Sequence, residues 1–156
     1  MDKTNVMRIL ETAGIDFVPL EYEVNEDDLS GESTARKLGV PAEQVFKTLV
    51  LRGDKTGLFV CCIPSCYEID LKKAAKVSHN KSCEMLHVKE LLSNVGYVRG
   101  ACSPLGMKKD FPTYFEESAL IFDEICISAG TKGIMLRLSP EKLINFRGAE
   151  TAELIK

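Results

Sequence analysis

The chain has 156 residues, of which 45% are hydrophobic, 28% charged and 7% aromatic. This composition excludes disordered and fibrous proteins, and the length suits one domain with a core and an internal pocket. The net charge of −3 argues against a non-specific nucleic-acid binder.

The first half of the chain alternates between helical and extended patterns. Apolar spacing and turn residues predict the following elements: a helix over residues 6–13 ended by Gly14, a strand over 17–24, an acidic loop over 25–32, a helix from Ser33 or Thr34 to Leu38, and a buried hairpin of strands 45–51 and 58–63.

The second half continues this mixture and adds a long glycine-containing loop. The same rules predict a helix from its Asp70 cap to Lys76, a helix over 88–95 ended by Gly96, a short strand from Tyr97, a loop over 100–109, strands 120–128 and 134–138 joined by 129–133, and a last helix begun by Ser139-Pro140. We therefore expect a single α/β (α+β) domain over residues 1–156, with a mixed, barrel-like β-sheet flanked by helices.

No segment resembles a membrane span or a secretory signal. The longest apolar run extends only from Leu58 to Ile63, and the start of the chain lacks a basic region followed by an apolar one. We expect a cytoplasmic protein that does not contact membranes. Its six cysteines are accordingly expected to be reduced.

The charge is unevenly distributed along the chain. Residues 1–35 contain nine acidic and two basic residues, whereas residues 72–109 contain eight basic and two acidic ones. Folded onto one face, the second segment would form a phosphate-attracting patch. The alternative is a set of separately solvated lysines.

Lys47 is the most informative single residue. It lies in a predicted strand with apolar residues on both faces. The aliphatic part of its side chain therefore enters apolar surroundings whichever face is inward. A buried ammonium group is costly unless it is paired or used. The alternative is a lysine at the strand end that extends to water.

Three further features can hold a ligand. Tyr22 shares the apolar face of its strand and carries a hydroxyl that needs a partner if it is buried. The loop that begins at Gly100 has glycines that allow close backbone approach, followed by two lysines. Ser128 and Gly130 place a hydroxyl and a flexible backbone at a strand end. Each feature also has an ordinary structural interpretation as a core tyrosine or a turn.

Two other chemistries are weighed and disfavoured. His79, Cys83 and His87 share a spacing of four residues, but no common zinc signature is present, and we expect neither a metal site nor a cofactor. Cys102 lies near lysines at the start of the loop and could act as a nucleophile, yet no histidine is close in sequence to serve as its base.

Four segments together resemble the YbaK/EbsC family, free-standing relatives of the editing domain of bacterial prolyl-tRNA synthetases. They cover almost the whole chain in order: Val45-Phe-Lys-Thr-Leu-Val50, Asp70-Leu-Lys-Lys-Ala-Ala-Lys76, the run from Gly96 to Lys109, and Ile127-Ser-Ala-Gly-Thr-Lys-Gly133. The resemblance implies the mixed, barrel-like fold of that family. It also implies deacylation of mischarged tRNA, with Cys-tRNA(Pro) as the expected substrate.

The resemblance also implies roles for single residues. The catalytic positions of the family fall on Lys47, Gly100 and Ser128, and its pocket tyrosine falls on Tyr22. The neighbouring residues expected to bind substrate are Ala101, Cys102, Ser103, Pro104 and Gly130. Many relatives have Gly-Gly before this loop, where this chain has Gly100-Ala101, a difference that can narrow the mouth of the pocket.

The resemblance further implies that the thiol of a cysteinyl substrate attacks its own ester and leaves as a cyclic thiolactone. No enzyme nucleophile is then needed. The expected partners are mischarged tRNA(Pro) and prolyl-tRNA synthetase. The alternative function is a non-catalytic module that binds tRNA or a nucleotide and acts with that synthetase.

Overall fold

The computed structural model describes residues 2–156 and shows a mixed α/β fold. In this range lie five α-helices and eight strands, as follows: α1 Asn5–Ala13, β1 Phe17–Glu21, α2 Gly31–Leu38, β2 Phe46–Gly53, β3 Gly57–Pro64, α3 Leu71–Val77, β4 Cys83–Met85, α4 Val88–Val95, β5 Thr113–Glu116, β6 Ile125–Ser128, β7 Ile134–Leu138, α5 Pro140–Arg147 and β8 Glu150–Ala152. Short 3-10 helices cover Ala42–Gln44 and Glu117–Ile121.

The strands form two sheets and not the single barrel-like sheet that was expected. The smaller sheet has the order β1-β7-β6 and the larger one β4-β2-β3-β5-β8. The β2–β3 hairpin pairs Lys47 with Ile63, whereas β5 runs parallel to both β3 and β8. One isolated parallel bridge between Val45 and Cys126 links the sheets, which do not close into a barrel.

Local capping rules account for most helix ends. The Thr4 hydroxyl accepts a hydrogen bond from the Met7 amide at the start of α1, and Gly14 ends that helix in the left-handed conformation. Asp70 caps α3 and Ser139 caps α5, as predicted. The predicted start of α2 at Ser33 or Thr34 is late, because the capping hydroxyl belongs to Ser30.

Three predicted strands differ in the structure. The strand predicted to reach Val24 ends at Glu21, because its partner β7 begins at Ile134, opposite that residue. No strand starts at Tyr97, which lies between α4 and a long loop. The segment predicted as a strand from Leu120 instead opens with a 3-10 helix, and only Ile125–Ser128 pairs.

Apolar side chains fill both faces of the larger sheet. One cluster joins α1, the smaller sheet and the adjacent face of β2 and β3, and includes Leu10, Phe46 and Phe115. A second cluster, around Phe59 and Tyr114, packs the opposite face against α3. No helix between residues 2 and 156 is long and apolar enough to cross a bilayer.

Candidate active site

A cleft of about 710 Å³ lies beside β2, at the place where the two sheets meet. Five of the predicted site residues line it: Tyr22, Lys47, Gly100, Cys102 and Ser128. They come from β1 and its extension, β2, the loop after α4 and the end of β6. Residues separated by more than a hundred positions in the chain therefore meet in one cavity.

Four other predicted binding residues do not line this cleft. Ala101 and Ser103 are buried. Pro104 lines a separate hollow of about 360 Å³, and Gly130 packs against Tyr97 and Val6. The structure therefore places these four residues outside the cleft lining.

Lys47 projects from an apolar strand into the cleft. Its side chain is half-buried, and its pairing across the hairpin is with the fully buried Ile63. Within residues 2–156, the Lys47 ammonium group has neither a hydrogen bond nor a salt bridge. A cation held beside apolar groups without a protein partner is available to an anionic ligand.

Tyr22 also lines the cleft and lies just beyond the end of β1. Its backbone amide donates to the carbonyl of Gly133 at 2.9 Å, and its ring packs with the cluster that contains Val45 and Met135. Among the described residues its hydroxyl has no hydrogen-bond partner, so this group is free to contact a ligand.

The loop after α4 presents Gly100 at the rim. Gly100 has a φ of +88°, a conformation that L side chains rarely adopt. A methyl group there would lie 3.4 Å from a side-chain carbon of Leu29, which covers the loop from the acidic segment. Gly100 itself is exposed, and within residues 2–156 its amide donates no hydrogen bond, so this amide can donate to a ligand at the rim.

Ser128 fastens this loop to the end of β6. Its hydroxyl donates to the carbonyl of Ala101 at 2.9 Å and accepts from the amide of Gly130 at 3.1 Å. Ser128 is buried, with 8% of its surface exposed. Because its proton is committed to a carbonyl, this hydroxyl is arranged to hold the loop and not to attack an ester.

Cys102 lines the cleft as a neutral thiol. Burial raises the pKa of Cys102 to about 12. A reactive cysteine needs a lowered pKa or an adjacent base. Neither His79 nor His87 lines the cleft, so the arrangement expected of a cysteine nucleophile is absent from the described residues.

The acidic segment of residues 27–32 forms part of the cleft, a contribution that sequence reasoning missed. Asp27, Asp28 and Glu32 line the cavity together with Leu29. Ser30, through its hydroxyl and its amide, lowers the pKa of the Asp28 carboxyl group. The signal available in the sequence was Leu29, the single apolar residue in a run of acidic and polar ones.

The cleft is consequently of mixed charge. Of the eight basic residues between 72 and 109, only Arg99 lines it, where it joins Lys47. The expected phosphate-attracting patch is therefore reduced to one residue of that segment at this site. The opposing acids and bases are suited to a substrate that carries both a phosphate and an amine.

The histidines and cysteines do not gather into a metal site. His79 follows α3, Cys83 lies in β4, and His87 precedes α4, so the three do not share a helical face. Across residues 2–156 no group of three or more potential ligands is placed to hold a metal ion. All six cysteines are free thiols.

A family model of the aminoacyl-tRNA editing domain matches residues 27–146, well over half of the chain and nearly all of the cleft. The chain therefore belongs to the family of aminoacyl-tRNA editing domains, enzymes that remove the amino acid from mischarged tRNA. The family and the class of reaction predicted from the four linked motifs are both confirmed.

Individual relatives agree with this assignment. The chain is 47% identical, over 97% of its length and 93% of the relative's, to a protein of Enterococcus faecalis (strain ATCC 700802 / V583) provisionally named Cys-tRNA(Pro)/Cys-tRNA(Cys) deacylase EbsC. A crystal structure provisionally described as a trans-editing enzyme for prolyl tRNA synthetase has a TM-score of 0.82 at 24% identity, with coverage of 100% and 99%. That of hypothetical protein APE2540 reaches 0.89 at 18% identity, with coverage of 98% and 100%. These two structures share the fold.

Proposed function

We propose that the cleft binds the aminoacyl end of mischarged Cys-tRNA(Pro) and releases the cysteine. The observation that carries this proposal is the half-buried ammonium group of Lys47, which has no partner among residues 2–156 and lies in a cleft of about 710 Å³. The name of the 47% identical relative supports cysteinyl-tRNA as the substrate.

Each wall of the cleft has a separate role in this proposal. Lys47 binds the terminal phosphate or the adenosine end of the tRNA. The Gly100 amide polarises the ester carbonyl and stabilises the negative charge that develops on its oxygen. Tyr22 contacts the ribose or the amino acid through its free hydroxyl, and Ser128 holds the loop that carries Gly100.

The attacking group belongs to the substrate. The cysteine thiol attacks its own carbonyl carbon, a sulfur–carbon bond forms, and the bond from that carbon to the ribose oxygen breaks. The thiol proton passes to the departing ribose oxygen, which becomes a hydroxyl, and the cysteine is released as its cyclic thiolactone. This route is supported by the committed proton of Ser128 and by the raised pKa of Cys102, about 12.

An editing enzyme of this kind compensates for limited discrimination elsewhere. A synthetase pocket that accepts proline cannot strongly reject an amino acid as small as cysteine, so a second site must remove the error. The chain's net charge of −3 provides little attraction for the body of a tRNA. We therefore propose that prolyl-tRNA synthetase, in the cytoplasm, supplies the selection for tRNA(Pro).

The editing domain is proposed to occupy the whole chain. The family match begins at residue 27. However, Val6, Met7 and Leu10 of α1 are buried in the same cluster as Phe46 and Ile127. Because α1 completes that core, a chain shortened to the matched residues would expose it.

A panel of mischarged tRNAs with identification of the product tests the proposal. We expect rapid deacylation of free Cys-tRNA(Pro) and of Cys-tRNA(Cys), since the cleft contacts only the acylated end, and no release from correctly charged Pro-tRNA(Pro). Addition of prolyl-tRNA synthetase should favour the tRNA(Pro) substrate. Stable tRNA binding with no release of any amino acid would contradict the proposal and support the non-catalytic alternative.

A further inference from the structure

The loop that carries Gly100 leaves α4 and returns to the same place. The Lys108 amide donates to the carbonyl of Val95 at 3.1 Å, so the two ends of the excursion are bonded. Inside it, the Ala101 amide donates to the Val98 carbonyl at 3.1 Å. A loop with joined ends and internal packing can hold its tip in one position without a strand or helix.

Tyr97 closes the base of this loop. Its hydroxyl donates a hydrogen bond to the carbonyl of Leu105, three residues before the loop returns at Lys108. Leu105 is buried, with 3% of its surface exposed, so its carbonyl has little access to water as an alternative partner. Burial also raises the pKa of Tyr97 to about 12, so the phenol stays protonated and able to donate well into alkaline solution.

Tyr97 also lies close to the residues that follow β6. A methyl group on Gly130 would lie 3.2 Å from Cε1 of the Tyr97 ring. A methyl group on Gly106 would lie 2.7 Å from its hydroxyl. The ring therefore fits between two glycines, Gly106 in the loop and Gly130, which lies two residues beyond the end of β6 at Ser128.

We infer that Tyr97 is a positioning residue of the editing site, which closes the loop and seats it against the end of β6 so that the Gly100 amide faces the ester. The inference rests on the proposed function of Gly100. Tyr97 does not line the cleft and acts only through the loop. A displacement of the order of 1 Å at a reacting group can cost about a hundredfold in rate.

Tyr97→Phe tests the inference, with Tyr114→Phe as the matched control. Tyr114, like the partly buried Tyr97, has a raised pKa, but it is buried on Phe59 in the cluster away from the cleft. With rates expressed per folded molecule, Tyr97→Phe should lower kcat on Cys-tRNA(Pro) at least about tenfold with KM within about twofold. Tyr114→Phe should leave both constants near wild type.

A second variant and a second readout separate positioning from general loss of structure. Gly106→Ala keeps the Tyr97 hydroxyl but pushes it from Leu105, so it should lower kcat in the same way. Alkylation of the half-buried Cys102 by iodoacetamide, followed for each cysteine by mass spectrometry, reports the loop position without any catalysis. Tyr97→Phe and Gly106→Ala should each raise the rate of Cys102 alkylation about fivefold or more, because the loop opens locally more often. Tyr114→Phe should leave this rate unchanged.

Wild-type kcat in Tyr97→Phe, or an unchanged Cys102 alkylation rate, would overturn the inference. Faster alkylation with unchanged kcat would also overturn it, because the loop position would then not matter to the reaction. If the wild-type protein itself releases no amino acid, the proposed function fails, whereas the alkylation comparison still decides whether Tyr97 closes the loop.

Discussion

The Ser128 hydroxyl donates a hydrogen bond to the backbone carbonyl of Ala101, across 27 positions of sequence, at 2.9 Å. This bond, together with the one that Ser128 accepts from Gly130, joins the end of β6 to the loop that carries Gly100. The serine hydroxyl thus connects two backbone segments and helps to hold the loop at the cleft rim.

We expect Ser128→Ala to slow deacylation and to destabilise the fold. The substitution leaves the Ala101 carbonyl and the Gly130 amide without their partner, which costs roughly 1–3 kcal/mol in unfolding free energy. Displacement of the loop should lower kcat by about 10- to 100-fold. Ser78→Ala removes another buried hydroxyl, which donates to Ala74 in α3, and should destabilise the fold without changing kcat. Equal kcat losses in the two variants would contradict a specific role for Ser128.

Gly100→Ala should lower activity by more than its backbone strain explains. The φ of +88° costs an alanine about 1 kcal/mol, and the added methyl meets Leu29 at 3.4 Å beside the exposed amide. Gly57→Ala is the matched control, because Gly57 has a φ of +79° with nothing within 4 Å of the added methyl. Denaturant unfolding should show similar losses of stability for both variants. Only Gly100→Ala should lose activity, by about tenfold or more.

Cys102→Ala should retain deacylation of Cys-tRNA(Pro). Because the substrate supplies the thiol and burial raises the pKa of Cys102 to about 12, removal of this thiol deletes no reacting group. We expect kcat/KM within about threefold of wild type, the remainder reflecting a small change in packing. Abolition of turnover in a folded Cys102→Ala protein would instead identify Cys102 as the nucleophile.

Stability should fall in alkaline solution because of the buried thiols. Burial raises the pKa values of Cys62 and Cys102 to about 12 and that of Cys126 to about 11. Above about pH 8.5 the unfolded chain releases these protons while the folded protein keeps them, so each thiol lowers the unfolding free energy by up to about 1.4 kcal/mol per pH unit.

Urea unfolding between pH 8 and pH 10.5 measures this loss. Cys126→Ala should make the unfolding free energy fall less steeply with pH, by an amount that corresponds to about one proton fewer released on unfolding. This holds even if the variant is less stable at neutral pH. An unfolding free energy that does not change with pH across this range would show that these thiols titrate normally in the folded protein.

The parts of the fold that follow short-range rules were predictable. Gly14 and Ser139 end or begin helices because the residues that satisfy the helix termini are neighbours in sequence. The parallel pairing of β5 with β3 and β8 was not predictable, because it joins segments that are distant in sequence. In addition, β5 has four residues and β8 only three, too few for a clear hydrophobic pattern.

The site was partly predictable for a related reason. Lys47 was conspicuous because a charge in an apolar strand needs an explanation wherever the strand lies. The hydrogen bond from Ser128 to Ala101 and the cover that Leu29 provides over Gly100 depend on tertiary placement, which no local spacing encodes. Tyr97 was predicted to start a strand, because aromatic residues favour strands. In the structure it lies in a loop, where its side chain is held by the Leu105 carbonyl and by two glycines.

The central claim is that the Lys47 ammonium, which is unpaired within the described residues 2–156, binds the acylated end of the tRNA, and Lys47 variants test it most directly. We predict that Lys47→Ala lowers kcat/KM on Cys-tRNA(Pro) by about a hundredfold or more. Lys47→Arg should also lower kcat/KM, because a planar guanidinium does not replace a compact ammonium. Lys55→Ala, in the exposed turn of the same hairpin, should match wild type. Wild-type kcat/KM in a folded Lys47→Ala protein would contradict the account.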